Sequence, residues 1–204
     1  MLTINRYEEK TKEDALQKCL SDLNVREDDL YIRYTETEAK LFKSKKQVIE
    51  ALKKQDVIDY IRDYLKNISQ GMNIDIHSEI KEQDGVINIL LASDHNAILI
   101  GKDGRTLNAL QVLIRQSVNI QTDFPIKIVL DASNYKAKKQ KNLEYEIKKI
   151  AKDVLKSKIE VKLDPMNSYD RRVVHTVIAE YAELETESYG SAPHRYVVIR
   201  YKKD

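Results

Sequence analysis

Two glycines three residues apart, in Gly101-Lys102-Asp103-Gly104, separate the apolar run Ile98, Leu99, Ile100 from a stretch where Leu107, Leu110, Leu113, Ile114 and Val118 recur at helical spacing. Glycine takes positive φ and lets another backbone come close, and a helix starting after such a turn points unpaired N–H groups into it. With Lys102 and Arg105 beside the positive end of the helix dipole, the turn suits an anion such as a phosphate. Asp103 sits inside it and repels the same anion, which predicts weaker binding than a fully basic loop would give. Ordinary turns also use this spacing, so the motif alone does not decide.

A second cluster lies near the C-terminus. Arg171 and His175, four apart in a helical pattern, fall side by side at the edge of an arc filled by Val173, Val174, Val177, Ile178 and Tyr181. They are expected to form an exposed cationic pair, with Arg172 and Thr176 continuing the polar face. The alternative for His175 is a histidine hydrogen-bonded within its own domain. Between the two clusters, Lys136, Lys138, Lys139 and Lys141 open a charged helix and surround it on all sides. Lysines at a helix N-terminus oppose the dipole, so contact with a polyanion and a solubilising face are both open readings.

Other chemistry finds little support. Cys19 is the only cysteine and sits in an apolar helical stripe, which excludes an intramolecular disulfide. His77, His95, His175 and His194 show no metal-ligand spacing, so no metal or other cofactor is expected. Gly101-Lys102 lacks the upstream glycine of a phosphate-binding P-loop, and no G-x-S-x-G occurs, so no catalytic residue is assigned and no enzyme is expected. No apolar run reaches the ~20 residues that span a bilayer, and the first residues do not form a secretory signal; the expectation is a cytoplasmic protein.

The elements that position these residues follow from periodicity. Leu2 to Arg6 reads as a strand, Thr11 to Leu23 as a helix capped by Thr11, and Asp29 to Tyr34 and Gln47 to Leu52 as strands. The polar connection between those strands carries Phe42-Lys43-Ser44-Lys45-Lys46, a solvated loop or an RNA or partner contact. A helical stripe (Val57, Ile61, Tyr64, Leu65, Ile68) precedes strands Ile74 to Ile80 and Val86 to Leu91, and Ile126 to Leu130 follows the glycine turn. After the lysine helix come a strand over Ile159 to Leu163, a helix over Tyr169 to Ala182 that Asn167 can cap, and a strand from Tyr196 to Tyr201. The expected class is α+β, with three small domains in series: a β-α-β-β module over 1–54, an α-β-β-α-α-β domain over 55–133, and an α-β-α-β-β domain over 134–204. Charge divides along the same lines: 12 basic and 11 acidic side chains in the first, 7 and 11 in the second, 16 and 11 in the third.

The α-β-β-α-α-β order, with Ile100, Gly101, Lys102, Asp103, Gly104 and Arg105 between its middle helices, resembles the KH domain of type II topology. Arg171-x-x-x-His175, followed by Ser188-x-Gly190-x-x-Pro193-His194-Arg195 and the strand Val197 to Ile199, resembles the R-three-H domain. Together with the N-terminal module, the chain resembles the Jag family, also called KhpB or EloR. The family's N-terminal module usually carries a glycine-rich turn, whereas Ala39 to Lys46 here has no glycine.

The resemblance implies a groove clamping about four nucleotides, with the Ile100 to Arg105 loop on the sugar-phosphate backbone. It implies a second contact through Arg171, Arg172, His175, His194 and Arg195, with Arg195 brought near the pair by the returning hairpin. Single-stranded RNA, or single-stranded DNA, is the implied ligand; a small single-KH protein, or a second copy of this chain, is the implied partner, with indirect association with membrane machinery. The implied role is that of an RNA chaperone or regulator linked to cell-envelope growth and elongation. The competing reading is an adaptor whose KH-like domain serves chiefly for pairing.

Overall fold

The computed structural model describes residues 1–36 and 46–202, which form two compact units divided between Ser133 and Asn134. Lys43 and Lys45, with most of the connection that carries them, lie outside the described residues.

The first unit opens with β1 (Asn5–Glu9), α1 (Lys12–Leu23), β2 (Leu30–Glu36) and β3 (Gln47–Lys53), arranged as an antiparallel sheet in the order β1-β3-β2. The Thr11 side chain accepts the Asp14 N–H, capping α1 as its sequence anticipates. Ala15 and Cys19 of α1 bury against Leu30, Ile49 and Ala51. Val48 and Leu52, on the opposite face of β3, are buried as well, so the central strand is covered on both sides.

No linker follows. β3 runs directly into α2 (Lys54–Met72), and then come β4 (His77–Gln83), β5 (Val86–Ala92), α3 (Asn96–Ile100), α4 (Arg105–Thr122) and β6 (Lys127–Ala132). β4 and β5 form a hairpin around Asp84 and Gly85, while β6 lies parallel to β5 from Val86↔Lys127 to Leu91↔Ala132. Parallel neighbours need a crossover, which α3, the glycine turn and α4 supply. Val57, Ile61 and Leu65 of α2 and Leu107, Leu110, Ile114 and Val118 of α4 are buried with Ile87, Ile89, Leu91, Ile128 and Leu130 of the sheet.

Side chains join the two halves of this unit. Arg33 on β2 pairs with Glu50 at 2.5 Å and with Asp123, just past α4, at 3.2 Å, and its guanidinium lies 5.1 Å from the Phe124 ring centre. Lys54 of α2 pairs with Glu82 of β4 at 3.1 Å, and its ammonium lies 5.6 Å from the centre of the Tyr31 ring on β2.

The second unit consists of α5 (Tyr135–Ser157), β7 (Val161–Lys162), α6 (Ser168–Ile178), β8 (Leu184–Tyr189) and β9 (Tyr196–Tyr201), with sheet order β7-β9-β8. Its core joins Ile147, Ala151 and Val154 of α5 to Val174, Val177 and Ile178 of α6 and to Val197 and Ile199 of β9. Asn167 caps α6 by accepting the Asp170 N–H.

Several boundaries move from their expected places. The first strand begins at Asn5 instead of Leu2, and β4 spans 77–83 instead of 74–80, because the tight Asp84-Gly85 turn sets its register against β5. Only Val161 and Lys162 of the expected strand over 159–163 pair with β9, and α6 ends at Ile178 instead of Ala182. Leu113, expected in the α4 stripe, is 48% exposed: Leu107, Leu110, Ile114 and Val118 complete the buried arc, and Leu113 lies about 60° beyond its edge, beside Ile120. Among the described residues no helix is long and apolar enough to cross a membrane.

Candidate nucleic-acid interface

The turn between α3 and α4 is built for a close backbone. The Ser93 hydroxyl accepts the His95 N–H and Asn96 Oδ1 accepts the Ser93 N–H, which fixes the entry to α3. Gly101 (φ +69°), Asp103 (φ +57°) and Gly104 (φ +80°) then turn the chain through the left-handed region, and the Gly104 N–H closes on the Gly101 carbonyl. A Cβ at Gly101 would stand 2.1 Å from the Thr106 hydroxyl oxygen, so no larger residue fits without displacing the start of α4. No side chain caps α4. The Arg105 N–H is taken by the Lys102 carbonyl; the N–H groups that follow it have no side-chain cap and face an anion with Lys102 and Arg105 exposed beside them and Ile98 half-exposed on α3 as an apolar neighbour.

The second cluster differs from its expectation. His175 is half-buried and hydrogen-bonded through both nitrogens, Nδ1 with the Thr186 hydroxyl at 2.7 Å and Nε2 with the Ser188 hydroxyl at 3.0 Å. Burial, and after it the Arg171 charge, holds its pKa below the usual 6.5, so at neutral pH the ring is uncharged. The exposed cationic pair is thus one cation, Arg171, against a neutral ring that fastens α6 to β8. Arg171 Nη1 reaches the Ser188 hydroxyl at 3.5 Å, and its Nε–H is buried and meets no acceptor among the described residues. That leaves the guanidinium charge largely unanswered. Arg171, Arg172, His175, Thr176, Ser168 and Ala179 line one open hollow. Thr186 and Ser188 belong to this site; the sequence motif includes Ser188 without assigning it a contact and leaves Thr186 out, and although the two alternate on one strand face, only strand pairing brings them to α6.

Comparison with known proteins bears on these two surfaces. Residues 58–129 match the KhpA/KhpB KH domain and residues 141–201 match the R-three-H domain. The RNA-binding protein KhpB of Clostridium symbiosum is 34% identical over 200 residues, covering 96% of this chain and 90% of that protein. The chain belongs to the KhpB family. The RNA-binding protein KhpB of Bacillus subtilis (strain 168) is 29% identical over 197 residues, covering 94% of this chain and 95% of its own length. That of Lactiplantibacillus plantarum is 30% identical over 145 residues, 71% of this chain and 44% of the relative. The fold is accordingly α+β, with KH and R-three-H domains in series.

Within this KhpB-family chain the remaining cations divide by environment. Lys138 and Lys141 are exposed on α5. Lys139 instead bridges to Asp170 at 3.1 Å; that carboxylate, 15% exposed, also accepts from the Asn167 side chain. It ties α5 to α6 and is a structural cation, not part of a free basic patch. Lys136 is exposed and already engaged in a contact. His194 and Arg195 are exposed on the turn between β8 and β9, outside the lining of the Arg171 hollow. The Arg195 carbonyl accepts the Met166 N–H at 3.0 Å, which anchors that turn next to the start of α6.

Proposed function

We propose that the protein binds single-stranded RNA by occupancy, without turnover, through the Gly101–Gly104 turn and the Arg171–Arg172 face. The observation that carries this reading is the turn: an uncapped helix N-terminus, flanked by two exposed cations, approached by backbone that only glycine permits at Gly101. Its geometry suits the sugar-phosphate backbone, and the relatives named RNA-binding protein KhpB support the ligand. On this reading residues 55–133 and 134–204 are two binding domains, 1–54 is an accessory module, and single-stranded DNA is a weaker alternative ligand. We extend the proposal to a chaperone or regulatory role in the cytoplasm, linked to cell-envelope growth and elongation, a reading that the resemblance to the family supports.

A second reading is favoured by one feature. Leu113 and Ile120, seven apart on α4 and 48% and 83% exposed, form an apolar stripe that suits pairing with a small single-KH protein or with a second copy. The two readings are compatible.

Fluorescence-anisotropy titration of a short RNA at two salt concentrations tests the first, using the intact protein, Lys102→Asp, and Arg171→Ala with Arg172→Ala. Each variant is expected to weaken binding and to flatten the dependence of log K on log salt by about 0.7 for each phosphate no longer neutralised. Salt-independent binding, or two variants that match the parent, overturns it; a sedimentation run on the same samples and on Leu113→Asp then tells whether pairing stands alone.

A further inference from the structure

A second hollow adjoins the Arg171 face. Gln140 and Glu144 on α5 and Tyr169 and Arg172 on α6 surround about 200 Å³ over an apolar floor of Val173 and Val177. Arg172 and Thr176 line both hollows, so the two share a wall along α6.

The polar groups are aligned in one sense. The Tyr169 hydroxyl donates to Gln140 Oε1 at 2.6 Å, and Gln140 Nε2 donates to Glu144 Oε1 at 2.8 Å. This chain turns the Gln140 amide so that its N–H faces the acid, and it leaves most of the acceptor capacity of the Glu144 carboxylate unused. The Tyr169 ring, 59% exposed, presents a flat apolar face at the rim. Stacking on an aromatic ring and hydrogen-bonding along a base edge are how unpaired bases are held.

A carboxylate repels phosphate, so the backbone of a bound strand lies on the arginine side and a base turns toward Glu144. Guanine alone offers two adjacent donors on its pairing edge, N1–H and N2–H. Adenine and cytosine place one amino group beside a ring acceptor, and uracil places one N–H between two carbonyls, which a carboxylate repels. We propose that the α5–α6 hollow is a guanine pocket, with the base stacked on Tyr169, its edge on Glu144, and the adjoining phosphate on Arg171 and Arg172. The inference rests on the RNA reading above and deepens it.

The test uses the intact protein and four short oligouridines whose central residue is G, A, C or U. The expected result is about tenfold tighter binding of the G oligomer, the discrimination one bidentate pair supplies. Glu144→Gln, whose amide accepts only through its one oxygen, should abolish that preference while still binding all four, and Tyr169→Ala should bring the G oligomer down to the level of the others. Both side chains are at the surface, and an unchanged melting curve confirms that the fold is kept. Equal binding of all four oligomers, or a preference that survives in Glu144→Gln, overturns the pocket and leaves the RNA reading intact. No binding of any oligomer by the intact protein overturns both.

Discussion

With Nδ1 against the Thr186 hydroxyl and Nε2 against Ser188, His175 has no nitrogen left for a ligand, and the work of the Arg-x-x-x-His pair is divided. Arg171 carries the charge; His175 holds α6 against β8 and positions Ser188, which Arg171 touches in turn. Its lowered pKa fixes the direction of a pH effect. In the unfolded chain the ring takes a proton near pH 6.5, and in the folded chain burial and Arg171 delay that to lower pH. As pH falls below about 6.5, the unfolded state binds the proton first, so the stability held by the neutral ring is lost toward acid and fully present above that value. The expected outcome is a thermal midpoint that falls between pH 8 and 5.5 more steeply for the parent than for His175→Asn. His77, His95 and His194 are present in both proteins, so the difference between the two slopes isolates His175. Parallel slopes would show that His175 is as protonated in the native state as in the unfolded one.

Elements were legible in the sequence to the extent that their signals are local. Thr11 and Asn167 cap the helices their spacing assigns to them, because a cap bonds a backbone N–H three residues on. The α3-turn-α4 unit was legible for the same reason. The function of Lys139 was not, since its partner Asp170 lies 31 residues away on another helix and composition shows only a basic run. Leu113 was misplaced because apolar spacing states that a residue is greasy, not which arc the sheet covers. The turn also concentrates the element-scale risk. Gly101→Ala sets a methyl against Thr106 at a φ of +69°, so it is expected to cost about 1–3 kcal/mol by denaturant melting and to weaken RNA binding together with stability. An alanine variant with parental stability and affinity would mean that α4 can shift its first turn freely, and the close approach would then lose its importance.

At the scale of the whole chain, the N-terminal sheet does not stand apart from the KH fold as the 1–54 boundary suggests. Val48 and Leu52 fill the face of β3 that α1 leaves open, β3 passes into α2 without a linker, and Arg33 reaches Asp123, 90 residues away. The absence of a Gly- or Pro-rich linker before α2 was legible in the sequence and makes the boundary near residue 54 soft; the rest was not, because a strand buried on both faces reads as a short apolar run whatever covers it. The consequence is cooperative unfolding of residues 1–133. Leu52→Ala removes a fully buried side chain from the middle of that unit and is expected to cost about 2–5 kcal/mol. Native-state hydrogen exchange should show amides of β1, β2 and β3 losing protection together with those of β4, β5 and β6, since residues 1–133 form one compact unit. Amides of 134–204, which has its own core around Ile147, Val174 and Ile199, should exchange as in the parent. If only the first sheet is deprotected, residues 1–54 are a separable module after all, and the Arg33–Asp123 pair is a surface contact of little energy.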